Sequence, residues 1–98
     1  MPAILTVDDS EPMRKMLEIV LKAGGYKVDS ACNGAEGLES FSQMRQDLII
    51  TDINMPIMHG IEFIEQVRLI DTEVPILALT TESEDAMRKR GFAAGANG

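Results

Sequence analysis

Ninety-eight residues, with nine Lys or Arg against sixteen Asp or Glu, make one domain at most and carry a formal net charge of −7. That balance excludes a module gripping nucleic-acid phosphates or anionic lipid by charge alone, and suits a cation or a basic partner surface instead. At 45% apolar and 26% charged, the chain is globular rather than disordered.

No apolar run approaches the ~18 residues needed to span a bilayer. The opening "MPAILTVDD" lacks the charged n-region of a secretory signal, so a cytoplasmic protein is expected. The single Cys32 cannot close an internal disulfide and reads as a small packed residue.

Residues 3–7, "AILTV", form a strand-length apolar run that is β-branched at Ile4, Thr6 and Val7. A helix follows: Ser10 can cap it, Pro12 sits in its first turn, and Met13, Met16, Leu17, Val20 and Leu21 share a face before Gly24 and Gly25 end it. "YKVDS" (26–30) is a short alternating strand. Asn33 followed by Glu36 resembles a capping box and opens a helix to about Arg45, with Leu38 and Phe41 inward. "DLIIT" (47–51) is the most uniformly apolar strand, as befits one buried on both faces. Beyond the Pro56 loop, Gly60 precedes a third helix with Ile61, Ile64, Val67 and Ile70 as its stripe. "ILALT" (76–80) is another buried strand, and Thr81 or Ser83 caps a fourth helix over 84–94. Strict βα alternation predicts a parallel sheet covered by helices through right-handed crossovers.

In such sheets, sites form beyond the carboxyl ends of the strands. Asp8 and Asp9 end the first strand, Asp52 the third and Thr80 the fourth. If these three strands are neighbours, three carboxylates and a hydroxyl meet on one rim. Crowded carboxylates repel, and a divalent cation offsets that repulsion. Few, hard oxygen ligands favour Mg²⁺. A carboxylate beside the metal can serve as a nucleophile and accept a phosphoryl group as an acyl phosphate. Each residue alone has a plainer explanation. Asp8 and Asp9 could complement a helix dipole, Asp52 could cap a turn, and Thr80 could be an ordinary strand-end hydroxyl. The combination is more specific: Asp-Asp, then Asp-x-Asn-Met-Pro-x-x-x-Gly, then Thr.

With "VDDS", "TDINMPIMHG", "ILALTTES" and "AAGANG", the sequence resembles the response-regulator receiver family of two-component signalling. The resemblance implies a flavodoxin-like (CheY-like) α/β fold with strand order 2-1-3-4. It implies Asp52 as phosphoacceptor and Asp9 as direct Mg²⁺ ligand, with Asp8 acting largely through water. Asn54 would offer its backbone carbonyl to the metal, and Thr80 would hydrogen-bond the phosphoryl group. Met55-Pro56 and Gly60 would shape the loop, and Glu82 would move with Thr80. The family's donors are a histidine kinase phosphohistidine or a small acyl phosphate. "LTTES" and "AAGANG" are most similar to single-domain chemotaxis regulators, which implies a flagellar motor switch as downstream partner.

Family members continue past such a motif with an aromatic, a fifth strand, a Lys-Pro pair and a fifth helix. No residue here matches that lysine, since Lys89 falls on the fourth helix. The expectation is one receiver domain over residues 1–98, incomplete at its C-terminus, with the fifth βα unit missing. Strand four would then be a bare apolar edge inviting a dimer or swapped assembly, with Met13, Leu17 and Phe92 exposed.

Two other classes compete. A haloacid-dehalogenase-type phosphatase would want a second Asp where Asn54 stands. A flavodoxin-like nucleotide module would want a neutral phosphate loop where "DDSEP" stands. The reading is a switch rather than an enzyme, with at most its own phosphorylation and dephosphorylation. The alternative is a degenerate receiver acting as an interaction module. His59 reads as a solvent-facing loop residue, and Arg88-Lys89-Arg90 as a solvated basic face.

Overall fold

Leu5 and Ile49 are fully buried at the centre of a four-stranded sheet, with every neighbouring pair parallel. The computed structural model describes residues 2–53, 55, 57–79 and 85–98, with the side chains of 85–88 excepted. The elements alternate as expected: β1 (Ala3–Val7), α1 (Glu11–Ala23), β2 (Lys27–Ala31), α2 (Gly34–Gln43), β3 (Leu48–Asp52), α3 (Gly60–Ile70), β4 (Ile76–Leu79) and α4 (Asp85–Ala94). The sheet order is β2-β1-β3-β4. The chain steps one way from β1 to β2, then back across β1 to β3 and on to β4. Right-handed crossovers therefore put α1 on one face and α2 and α3 on the other. This is the flavodoxin-like order, and the reversal between β1 and β3 is where such sheets hold their sites.

The helix caps follow from local chemistry. Ser10 Oγ accepts the Met13 N–H at 3.3 Å, and Asn33 Oδ1 accepts the Glu36 N–H at 2.8 Å. At the end of α1, Gly25 N–H bonds Lys22 O and Tyr26 N–H bonds Leu21 O, with Gly25 at φ +92°. This is a Schellman closure, which needs a left-handed residue. It also explains why β2 begins at Lys27, one residue later than expected: the helix has already taken the Tyr26 N–H. α2 stops at Gln43, two residues early, because Met44 turns extended at φ −136°.

The main core fills the α2–α3 side, where Val7, Ile49, Ile53, Phe63, Ile64, Val67 and Ile76 cluster with Leu5. Phe63 is its largest fully buried side chain. The expected α3 stripe holds at Ile61, Ile64 and Val67 but not at Ile70, which stands 56% exposed at the last helical position. In α1, Met13 is exposed as expected, but Leu17, expected exposed, is half-buried, and the rest of the inward face is less covered than its pattern suggests. None of its residues is buried; Met13, Met16 and Val20 are exposed, while Leu17 and Leu21 are only half-buried. An amphipathic pattern identifies the inward face of a helix but does not say how much lies beneath it. Phe92 is exposed, as expected.

The outer edge of β4 is not bare. Asn97 N–H bonds Ile76 O at 2.8 Å, Ala78 N–H bonds Gly98 O at 2.7 Å, and Asn97 Oδ1 accepts the Ile76 N–H at 2.9 Å. The Ile76 N–H, Ile76 carbonyl and Ala78 N–H, edge groups expected to seek another chain, are therefore already paired. Arg68 holds this tail in place, donating to Gly95 O at 2.9 Å and Asn97 Oδ1 at 3.0 Å. Among the described residues, no helix is long and apolar enough to cross a membrane.

Candidate metal and phosphoacceptor site

The β1–β3 pairing sets Val7 beside Thr51, so the residues that follow each strand emerge together. Asp8, Asp9 and Asp52 each offer a carboxylate oxygen, and these atoms all lie within 4.8 Å of one another. The expected convergence of the three carboxylates is therefore present. Asp8 is buried, Asp52 half-buried and Asp9 exposed, so the cluster opens to solvent on one side.

Backbone groups position Asp8 and Asp52. Asp8 N–H bonds Ala31 O at 3.1 Å, which ties the β1 end to β2. Its carboxylate Oδ1 accepts the Ser10 N–H at 2.8 Å, and its carbonyl accepts Arg14 Nη1 at 2.7 Å. Asp52 Oδ1 accepts the Ile53 N–H at 2.8 Å. Hard carboxylate oxygens at this separation fit a small divalent cation that keeps part of its water shell, and they fit a thiolate-seeking metal poorly.

The loop after β3 is built by close approach. Gly60 N–H bonds Ile53 O at 2.8 Å. A Cβ at Gly60 would overlap the Asp52 carbonyl oxygen and lie 2.6 Å from Ile53 Cα. Glycine is therefore required there by space. Ile57, 81% exposed, sits at φ 70°, a left-handed conformation that β-branched residues rarely adopt. Met55 is buried beneath this loop. Asn54, Pro56, Thr80, Thr81, Glu82 and Ser83 lie outside the described residues.

Two residues have roles that sequence reasoning missed. His59 is the N-cap of α3, its Nδ1 accepting the Ile61 N–H at 3.2 Å, rather than a loop residue facing solvent. Histidine is not among the preferred capping residues, so nothing local signalled it. Arg14, six residues beyond Asp8, reaches back to it; only the folded turn reveals that contact. Cys32 is half-buried and lies outside the core cluster, so it is not the packed residue expected. Its Sγ lies 3.1 Å from Glu36 Oε2, and this hydrogen bond to a carboxylate holds the thiol above its ordinary range.

A parallel sheet with an acidic cluster at its strand-order reversal puts a candidate cation site where open α/β sheets hold their ligands. The chain belongs to the response regulator receiver domain family, whose model matches residues 4–98. It is thus a receiver domain of the two-component response regulators. It is 38% identical over 96 residues to the transcriptional regulatory protein PrrA of Mycobacterium tuberculosis, a match covering 98% of this chain and 41% of PrrA. The chain thus spans under half the length of that relative. Chemotaxis response regulator CheY4 of Vibrio cholerae superposes with a TM-score of 0.96 at 42% identity, covering 100% of this chain and 83% of that one. TrrA of Thermotoga maritima, solved in complex with Mg²⁺-BeF, gives a TM-score of 0.90 at 35% identity over 99% of this chain and 83% of its own.

Proposed function

We propose that this receiver is a phosphorylation switch, with Asp52 as acceptor and Asp8, Asp9, Asp52 and the Asn54 carbonyl as ligands of Mg²⁺. The observation that carries this reading is the convergence of the three carboxylates within 4.8 Å at the carboxyl ends of β1 and β3. The metal-bound likeness of TrrA supports the choice of ion. When bound, Mg²⁺ neutralises charge on the transferring group.

The chain's own groups do the rest. An Asp52 oxygen forms a bond to phosphorus as the bond from phosphorus to the donor histidine nitrogen breaks, and the electron pair leaves with the imidazole. A small acyl phosphate donor loses its carboxylate in the same way. Thr80 is the hydroxyl assigned to the phosphoryl oxygens. No further substrate is turned over, so the protein is a switch and not an enzyme in the usual sense. A histidine kinase is the phosphodonor, and a downstream signalling protein reads the change. The likeness to CheY4 favours a chemotaxis output through a flagellar motor switch, in the cytoplasm.

The test is intact mass after incubation with acetyl phosphate and Mg²⁺. We expect one phosphoryl group to be gained by the wild type and none by Asp52→Asn or by wild type without Mg²⁺. Phosphorylation that survives in Asp52→Asn would sink the assignment.

A further inference from the structure

We propose that Arg14 is a positioning residue that fixes the peptide between Asp8 and Asp9 and thereby sets the affinity of the acidic cluster for a divalent cation. The proposal rests on the metal reading above. The Asp8 carbonyl and the Asp9 N–H belong to one planar unit. Arg14 Nη1 grips that carbonyl at 2.7 Å, a short charge-assisted bond. Arg14 is itself held at the start of α1, where its N–H bonds Ser10 O at 3.0 Å. On the other side of the same residue, Ser10 N–H holds Asp8 Oδ1 at 2.8 Å, and Asp8 N–H is anchored on Ala31 O. The rotation that would swing the exposed Asp9 away from Asp8 and Asp52 is the rotation this bond resists.

The proposal makes a prediction opposite in sign to simple electrostatics. A guanidinium bonded to the Asp8 carbonyl repels an incoming dication, so by charge alone its removal should tighten binding. By position, its removal should weaken binding. Partners that orient metal ligands typically change affinity by about tenfold to a hundredfold when lost.

Mg²⁺ binding to the whole chain, measured by isothermal titration without phosphodonor, decides between them. Arg14→Met should bind about tenfold more weakly. Arg14→Lys keeps the charge but not the planar fork, and should fall between Arg14→Met and wild type. Binding by Arg14→Met at wild-type strength or tighter would overturn the proposal. Should that variant fail to fold, wild-type affinity in Arg14→Lys would overturn it equally. Asp9→Asn separates the two ideas. If the wild type binds no Mg²⁺, or Asp9→Asn binds as the wild type does, the metal reading falls and takes this proposal with it. If binding is lost in Asp9→Asn but kept in the Arg14 variants, only the role of Arg14 falls.

Discussion

The two ends of the parallel sheet place acidic residues differently. At the amino end, Asp47 and Asp71 bond backbone N–H groups. Asp47 Oδ2 accepts the Ala3 N–H at 2.8 Å, and Asp71 Oδ1 accepts the N–H groups of Glu73 at 2.7 Å and Val74 at 3.1 Å. These two bonds hold the Asp71 carboxyl below the ordinary aspartate range. The Arg68 clasp on Gly95 and Asn97 fastens the same end. At the carboxyl end, Asp8 and Asp52 each accept a backbone N–H as well, but with Asp9 they also crowd one another. Acids paired singly with N–H groups serve the fold. Acids pressed together oppose the fold, a cost that a bound cation would offset.

The largest expected effect comes from the loop that builds the crowded end. On an unobstructed helix start, Gly→Ala would stabilise modestly by reducing the freedom of the unfolded chain. At Gly60 the added methyl meets the backbone of Asp52 and Ile53, which cannot swing aside as a side chain could. We expect Gly60→Ala to lose about 2–3 kcal/mol in urea unfolding and to lose Mg²⁺ binding with it. A stabilised variant that binds normally would show that the close approach does not build the site.

The second expectation tests the contrast directly through opposite signs. Asp52→Asn keeps an acceptor for the Ile53 N–H while removing one charge from the cluster, so its melting temperature without Mg²⁺ should rise. Added Mg²⁺ should then stabilise the wild type more than the variant, since a ligand of the native state raises stability by mass action. Asp71→Ala removes the acceptor for two N–H groups, so its melting temperature should fall. The pH dependence follows from the same bonds. Because folding lowers the Asp71 value, its contribution is fully present above the unfolded-state value of about 3.9 and is lost as pH falls through the folded one. Between about pH 5 and 2, stability of the wild type should therefore decline more steeply than that of Asp71→Ala. Equal slopes would break the comparison at the amino end.

Much of this arrangement was legible in the sequence, because it is written in local pattern. Ser10 and Asn33 are common capping residues, the strands are short apolar runs, and the carboxylates stand where those runs end. The strand order came through the family resemblance, since alternation alone does not fix it. What stayed hidden depends on contacts across the fold. Phe63 became the centre of the core because α2 and β1 close over it; its ring lies 3.1 Å from where a Cβ on Gly37 would stand. The "GANG" motif was legible as a family mark, but the bond from Asn97 to Ile76 and the Arg68 clasp could not be read from it. Arg14 and His59 were missed for the same reason: each acts through a backbone group rather than through a recognisable pattern.

The smallest effect concerns strain, which also differs between the ends. Among the described residues, Ile57 alone of the non-glycines has a positive φ, and it lies in the loop beside the crowded acids. A non-glycine residue held left-handed costs of order 1–3 kcal/mol, more for a β-branched one than for Asn. The side chain is exposed, so little burial offsets that strain. Ile57→Asn should therefore stabilise by about 1 kcal/mol, and Ile57→Gly by less, since glycine gives the unfolded chain more freedom to lose. Thr72→Asn, in the amino-end turn where no such φ occurs, should leave stability nearly unchanged. If Ile57→Asn stabilises the fold without altering Mg²⁺ affinity, the strain is incidental to the loop. If affinity falls as stability rises, the strained loop is part of what holds the carboxylates together, and the carboxyl end trades stability for its site in two ways, through charge and through backbone.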